Sequence, residues 1–165
     1  MGVLPMIELA RETDVDVLAQ LAIAFRDYLG QSQPSDADFK NSIAILLKDP
    51  DTDFLVARGT DGSPLGYAQL RYRYSAWIPG LGAEIEDLFV LPSARRQGIG
   101  LELANAVSER AKQRACRVIG LNTNERNEAA LGLYQSLGFT AERAAWNGSR
   151  QLWLEKKIDP ERRAP

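Results

Sequence analysis

Residues 84 to 101 constrain the fold more than any other stretch of the chain. The stretch opens with a short apolar run that predicts a strand over residues 84–91, made of Ile85, Leu88, Phe89 and Val90. Pro92 ends that strand, because proline has no N–H to donate to a sheet ladder. Two arginines and a Gly-x-Gly follow, and a helix is predicted to begin near Ile99. A strand, a tight turn and a helix in direct succession predict an α/β chain.

The turn in this stretch has the composition of an anion site. Gly98 and Gly100 let the main chain approach a ligand closely. The first N–H groups of a helix have no internal partner, and the helix dipole adds positive potential there. Arg95 and Arg96 add charge beside them. The same glycines are also compatible with a plain turn, and the P-loop and dinucleotide patterns are absent.

Two motifs in a fixed order carry a family resemblance. Residues 90–100 resemble the pyrophosphate-binding segment of the GNAT family of N-acetyltransferases, whose pattern is Arg/Gln-x-x-Gly-x-Gly/Ala. A second family segment reads Asn127-x-x-Ala130-x-x-x-Tyr134 and is followed by Leu-Gly-Phe at 137–139. The resemblance covers roughly residues 54–157 and implies the GNAT fold.

The composition of the chain restricts its number of domains, its location, its partners and its possible metal sites. The 165 residues fit one domain over residues 1–165, with 1–3 and 158–165 frayed. We expect no signal peptide and no membrane span, and one cysteine favours a cytoplasmic location. A net charge of −2 argues against a nucleic-acid partner. The absence of histidine excludes His-based triads and His-ligated metals, and we expect no metal.

The remaining patterns predict an α/β fold with a mixed, mostly antiparallel, twisted sheet and helices on both faces. Thr13 and Ser35 are predicted helix caps, each with an aspartate three residues later, and the two helices end at Gly30 and before Pro50. The other expected elements are strands 6–10, 53–58, 65–74, 84–91 and 118–122, a loop 75–82, helices from 99 and over 127–137, and a hairpin turning at Asn147–Gly148. Strands 84–91 and 118–122 should be parallel neighbours. The resemblance implies that this pair splays and admits a pantetheine arm.

Glu84 and Glu86 are the expected proton acceptors. They lie two residues apart, so a regular strand places both on one face, where each raises the pKa of the other. The resemblance places a catalytic glutamate at one of these two positions and favours Glu86, acting through a water. The alternative is that both carboxylates attract a cationic substrate or face solvent.

The resemblance also implies the remaining site residues. Tyr134 matches the family's general acid, and a main-chain N–H of Phe89 or Val90 should meet the thioester oxygen in a bulged strand. The expected acetyl-CoA ligands are Leu88, Phe89, Val90, Arg95, Arg96, Gln97, Gly98, Ile99, Gly100, Leu101, Asn122, Asn127 and Tyr134. Cys116 is interpreted as a packing residue, which favours direct transfer over an acetyl-enzyme.

The resulting expectation is an N-acetyltransferase that uses acetyl-CoA and a primary amine of a small molecule or peptide. A non-catalytic acyl-CoA sensor or interaction module on the same fold is the alternative. Family relatives are often dimers, so a homodimer is one expectation for the assembly.

Overall fold

A computed structural model describes residues 5–141 and 154–157 of the chain. The strands are β1 Met6–Leu9, β2 Thr52–Arg58, β3 Pro64–Ser75, β4 Gly80–Val90 and β5 Val118–Leu121. The helices are α1 Val15–Tyr28, α2 Asp36–Leu46, α3 Ile99–Gln113 and α4 Glu128–Ser136, with short 3₁₀ turns at Glu12–Asp14 and Pro92–Ala94. None of the helices in these ranges has the length and apolar content needed to cross a bilayer.

The five strands form one mixed sheet in the order β1-β2-β3-β4-β5. Among these described strands, only β4 and β5 run parallel, and the other neighbours are antiparallel, as predicted. Alternate residues of β2 serve two cores: Phe54 and Val56 pack with α1 and α2, whereas Leu55 and Ala57 pack with α3 and Tyr134 of α4. The prediction of helices on both faces is therefore confirmed.

The parallel pair separates before β4 ends. Its register runs from Gly82 opposite Val118 to Ile85 opposite Leu121. β4 then continues through residues 86–90 without a partner in β5. Among the described residues, the β5-side edge of β4 is therefore unpaired at its carboxyl end, and this open edge, called the gap below, is what the predicted splay requires.

One helix start follows the prediction and the other does not. Ser35 caps α2, with its hydroxyl oxygen accepting a 3.2 Å hydrogen bond from the N–H of Asp38. The expected cap at Thr13 is wrong, because α1 begins at Val15 after a 3₁₀ turn. Asp14 fixes this corner by accepting hydrogen bonds from the N–H of Arg11 at 2.8 Å and the guanidinium of Arg58 at 2.7 Å.

The hairpin between β3 and β4 is tighter than predicted. β4 begins at Gly80 instead of residue 84, because Gly80 and Gly82 pair with Ser75 and Arg73 of β3. Glycine disfavours strands, so the sequence pattern indicated a loop there. The predicted hairpin at Asn147–Gly148 lies outside the described residues, as do the predicted frayed ends 1–3 and 158–165.

Candidate functional site

The loop between β4 and α3 presents a row of open main-chain N–H groups. Arg96 and Gly98 have left-handed φ angles of 60° and 82°, which turn the loop into the start of α3 at Ile99. Within the described chain, the N–H groups from Gln97 to Leu101 have no hydrogen-bond acceptor. Consecutive N–H groups in such a turn form a concave anion site, reinforced by the helix dipole.

The two glycines of this loop have different surroundings. A Cβ added at Gly98 would meet nothing within 4 Å, so the space in front of this residue is open. A Cβ at Gly100 would lie 3.8 Å from Leu133 and 3.9 Å from Val90, an ordinary contact. Gly98 is therefore required by its positive φ, and its side of the loop is free to receive a ligand.

The side chains of the loop take different directions. Arg96 and Gln97 are exposed, and Ile99 is buried in the core beneath α3. Arg95 turns back to β4, where its Nε donates a 3.0 Å hydrogen bond to the carbonyl oxygen of Val90. Its guanidinium carbon lies 4.2 Å from the centre of the Tyr28 ring. The sequence analysis did not predict this contact with α1.

The register of β4 determines which of its main-chain groups face the gap. The N–H of Leu91 donates to the carbonyl oxygen of Leu65, and Phe89 lies opposite Tyr67. The peptide groups of Leu91 and Phe89 therefore point toward β3. The groups of Leu88 and Val90 therefore point to the other side, beyond the end of β5. Of the two expected donors to a thioester, Phe89 and Val90, only Val90 directs its N–H into the gap.

A β-bulge lies next to this open edge. Gln69 pairs with Asp87 and Leu70 with Ile85, which leaves Glu86 as an extra residue in β4. The bulge changes the alternation of side chains along the rest of the strand. Asp87 consequently shares the α1–α2 face with Glu86, which a regular period of two does not predict.

Three carboxylates of β4 each have a separate partner. The side-chain amide of Gln69 donates to Glu86 at 2.7 Å, and the hydroxyl of Tyr67 donates to Asp87 at 2.8 Å. Asn122, which was predicted to touch the cofactor arm, donates to Glu84 at 3.3 Å. Sequence reasoning did not identify Gln69, Tyr67 or Asp87. Within the described residues, no group of three or more His, Cys, Asp and Glu side chains could hold a metal ion.

Two of these carboxyl groups have altered acidity. Desolvation against the sheet raises the pKa of Glu86, the Arg71 guanidinium opposes the rise, and the charges of Asp87 and Glu84 support it. Burial raises the pKa of Asp87, against the opposing hydrogen bond from Tyr67. A carboxylate with a raised pKa is a better proton acceptor near neutral pH.

Tyr134 lies on α4, on the side of the sheet that carries α3. Its ring is buried and meets the edge of Phe139 with 5.3 Å between ring centres. Burial raises the pKa of Tyr134 to about 12. Its hydroxyl has no hydrogen-bond partner in the part of the chain that is described, so its proton is available to a ligand. Asn127 caps α4, accepting from the N–H of Ala130 at 3.2 Å, which leaves its side-chain NH₂ group for other contacts.

Known proteins resemble this chain over most of these elements. Residues 16–139 match the sequence profile of the Acetyltransferase (GNAT) family. An aminoglycoside N(6')-acetyltransferase type 1 from Klebsiella aerogenes is 38% identical over 88 residues, which cover 52% of this chain and 58% of that protein. A thialysine N-epsilon-acetyltransferase from Bos taurus is 34% identical over 88 residues, 52% of this chain and 51% of that one. The chain thus spans little more than half the length of these two relatives.

A solved structure shows the same fold over nearly the whole chain. It is an aminoglycoside acetyltransferase from an uncultured soil metagenomic sample, crystallised in complex with sisomicin. The TM-score is 0.75, with 20% sequence identity and coverage of 93% of this chain and 97% of the other. At this identity the similarity supports the fold alone.

Proposed function

The chain belongs to the GNAT family of acetyltransferases, and we propose that it transfers the acetyl group of acetyl-CoA to a primary amine of a small molecule or peptide. The amine attacks directly while both substrates are bound. The observation that carries this proposal is the row of open N–H groups from Gln97 to Leu101, which lies directly after the open edge of β4. The two features suit the diphosphate and the amide-containing arm of one elongated ligand.

The main chain has the donors that such a ligand requires. The N–H groups of the loop match the oxygens of a pyrophosphate, and Arg96 is the exposed cation beside them. The peptide groups of Leu88 and Val90 face the gap, where an extended pantetheine arm would pair with them as an added strand does. The cosubstrate is therefore compatible with the residues present.

In the proposed reaction, the chain moves two protons and stabilises one developing charge. Acetyl-CoA supplies an activated acetyl group, whose carbon forms a bond to the amine nitrogen as its bond to sulfur breaks. Glu86 accepts one proton of the protonated amine through a water, and a main-chain N–H on the open edge of β4 stabilises the thioester oxygen. Tyr134 donates a proton to the departing sulfur and takes up the second proton of the nitrogen. Cys116 is not required, and burial raises the pKa of its thiol, which disfavours the nucleophilic thiolate.

The acceptor is proposed to be a cationic amine. Glu84, Glu86 and Asp87 place negative charge on one side of β4, next to the open edge. The relatives described above are named for amino groups on an aminoglycoside and on a lysine analogue. Both are amines that are protonated at neutral pH, so a carboxylate face would attract either of them.

A thiol-release assay tests the proposal. Purified protein is given acetyl-CoA with a panel of an aminoglycoside, a lysine analogue, a polyamine and a peptide with a free N-terminus. We expect CoA release with at least one amine, and an N-acetylated product by mass spectrometry. CoA binding without acetylation of any amine would instead favour the non-catalytic acyl-CoA module. No binding of CoA in calorimetry would contradict both functions.

A further inference from the structure

The side chain of Arg95 connects three elements that are far apart in sequence. Its main chain belongs to the loop that carries the open N–H groups. Its Nε bonds to the Val90 carbonyl oxygen at 3.0 Å, on the edge of β4 that faces the gap. Its guanidinium stacks on Tyr28, in the last turn of α1, at 4.2 Å from the ring centre. One side chain thus joins the loop, the gap and α1.

An aromatic stack extends this connection into the core. The guanidinium also lies 5.7 Å from the centre of the Phe89 ring, and Phe89 stacks on Phe25 of α1 with 4.7 Å between centres. Phe89 is buried and directly precedes Val90 in β4. The position of Arg95 is therefore set by packed aromatic rings as well as by one hydrogen bond, and a flexible lysine would not reproduce it.

The α1 side of this contact leads into the segment between α1 and α2. The chain leaves α1 directly after Tyr28, and Arg26 holds the segment by donating to Pro34 at 2.8 Å and Asp36 at 2.7 Å. These helices cover the sheet face that carries Glu86 and Asp87. A shift of Tyr28 would therefore displace the chain beside the proposed acceptor site.

We propose that Arg95 is a positioning residue that couples the acyl-CoA loop and gap to the end of α1, and that its side chain does not bind the pyrophosphate. The proposal rests on the function proposed above. It differs from the expectation drawn from the loop motif, in which Arg95 and Arg96 both contribute charge to the phosphates. Arg96 is exposed and has no side-chain partner among the described residues, so it is the matched control.

Two acyl donors separate positioning from phosphate binding. Acetyl-CoA contains the pyrophosphate, and acetyl-pantetheine lacks it but has the same arm and thioester. We expect Arg95→Met to lower kcat/KM for both donors by the same factor, roughly tenfold. We expect Arg96→Met to lower kcat/KM for acetyl-CoA and to leave that for acetyl-pantetheine unchanged. Calorimetry with CoA and pantetheine gives the same comparison without turnover.

Three further variants separate the stack from charge and from loss of structure. Arg95→Lys keeps the charge and should not restore activity. Tyr28→Leu should reproduce the loss with both donors and raise the KM of the amine, whereas Tyr28→Phe, which keeps the ring, should behave as wild type. Thermal unfolding of each variant identifies loss of the fold. If Arg95→Met does not fold, Tyr28→Leu provides the test, because Tyr28 is exposed.

Opposite results would overturn the inference. A loss confined to acetyl-CoA in Arg95→Met, with recovery in Arg95→Lys, would identify Arg95 as a phosphate ligand. Unchanged kinetics in Tyr28→Leu would remove the link to α1. If wild-type protein bound no CoA, the proposed function would fail and this inference with it. CoA binding by wild type together with either of the first two results would overturn the inference alone.

Discussion

The side-chain amide of Gln69 donates a 2.7 Å hydrogen bond to the carboxylate of Glu86, the extra residue of the bulge in β4. Because the amide lies on the neighbouring strand β3, it fixes the carboxylate beside the open edge. Desolvation raises the pKa of Glu86 in the same position. The bulge therefore places a carboxylate with a raised pKa where the proposed amine would lose its proton.

Replacing Glu86 tests its role as the base. Glu86→Gln keeps the shape and a bond to Gln69 but removes the acceptor, so we expect kcat/KM to fall by about 10²- to 10⁴-fold. Wild-type kcat/KM should fall as the pH drops through the raised pKa of Glu86, above the ordinary glutamate value, because only the ionised form accepts a proton. This acid limb should disappear in Glu86→Gln. Steady-state kinetics over about pH 4–9 measures both effects. A larger loss in Glu84→Gln would assign the role to Glu84 instead.

Removing the hydroxyl of Tyr134 tests the proposed acid. Tyr134→Phe should lower kcat, leave CoA affinity nearly unchanged and leave thermal stability unchanged, because the hydroxyl has no partner in the described chain. With a pKa of about 12, Tyr134 stays protonated and should cause no alkaline decline below about pH 10.

Tyr72→Phe is the matched control for Tyr134→Phe. The Tyr72 hydroxyl donates to Asp53 at 2.8 Å, and Asp53 also accepts a hydrogen bond from Arg110. Tyr72 has no part in the proposed reaction. This variant should lose about 1 kcal/mol of stability and keep wild-type kcat. Equal turnover by Tyr134→Phe and wild type would remove Tyr134 from the acid role.

A methyl group at Gly98 tests the loop as the ligand site. Gly98→Ala strains a left-handed residue by roughly 1–2 kcal/mol and places a Cβ in the open space before the N–H groups. We expect CoA affinity to fall, as measured by calorimetry. Gly62→Ala has the same strain at φ 81°, also in open space, but in the loop between β2 and β3. It should lose similar stability and bind CoA as wild type does. Equal CoA binding by the two variants would contradict the assignment.

The pair of Asp87 and Tyr67 makes stability depend on pH. Burial raises the pKa of Asp87 above its unfolded value, so its ionisation opposes folding. The Asp87 carboxyl contributes its full stabilisation at pH values below its pKa in the unfolded chain. This stabilisation is lost as the pH rises through the higher pKa of Asp87 in the folded chain. Asp87→Asn can still accept the Tyr67 hydrogen bond and has no charge. Its melting temperature should therefore rise relative to wild type as the pH increases from about 3 to about 6. A constant difference over this range would contradict the prediction.

Local features of the fold were predictable from the sequence. Ser35 with Asp38 identified the start of α2, because the capping contacts span only three residues. The apolar run before Pro92 identified the end of β4, and Gly98 marked the entry to α3. The Thr13 cap was wrong because Arg58, a distant residue, fixes the corner through Asp14.

The less predictable features depend on contacts between distant residues. The bulge at Glu86 results from the pairing of β4 with β3, so a period of two did not place Asp87 on the same face. The position of the Arg95 side chain depends on Tyr28 and Phe89, which are brought together only by packing of α1 on the sheet. The loop motif identifies the main-chain geometry, and the packing of neighbouring elements decides which side chains remain available to a ligand.

The most direct test of the central proposal is an amide NMR titration of isotope-labelled protein with CoA. If the diphosphate binds in the loop, the N–H resonances from Gln97 to Leu101 should shift together with that of Val90 and become slower to exchange with solvent. The N–H resonances of Gly62 and its neighbours should not move. Saturating CoA that leaves Gln97 to Leu101 unshifted, or shifts only distant residues, would contradict the proposal.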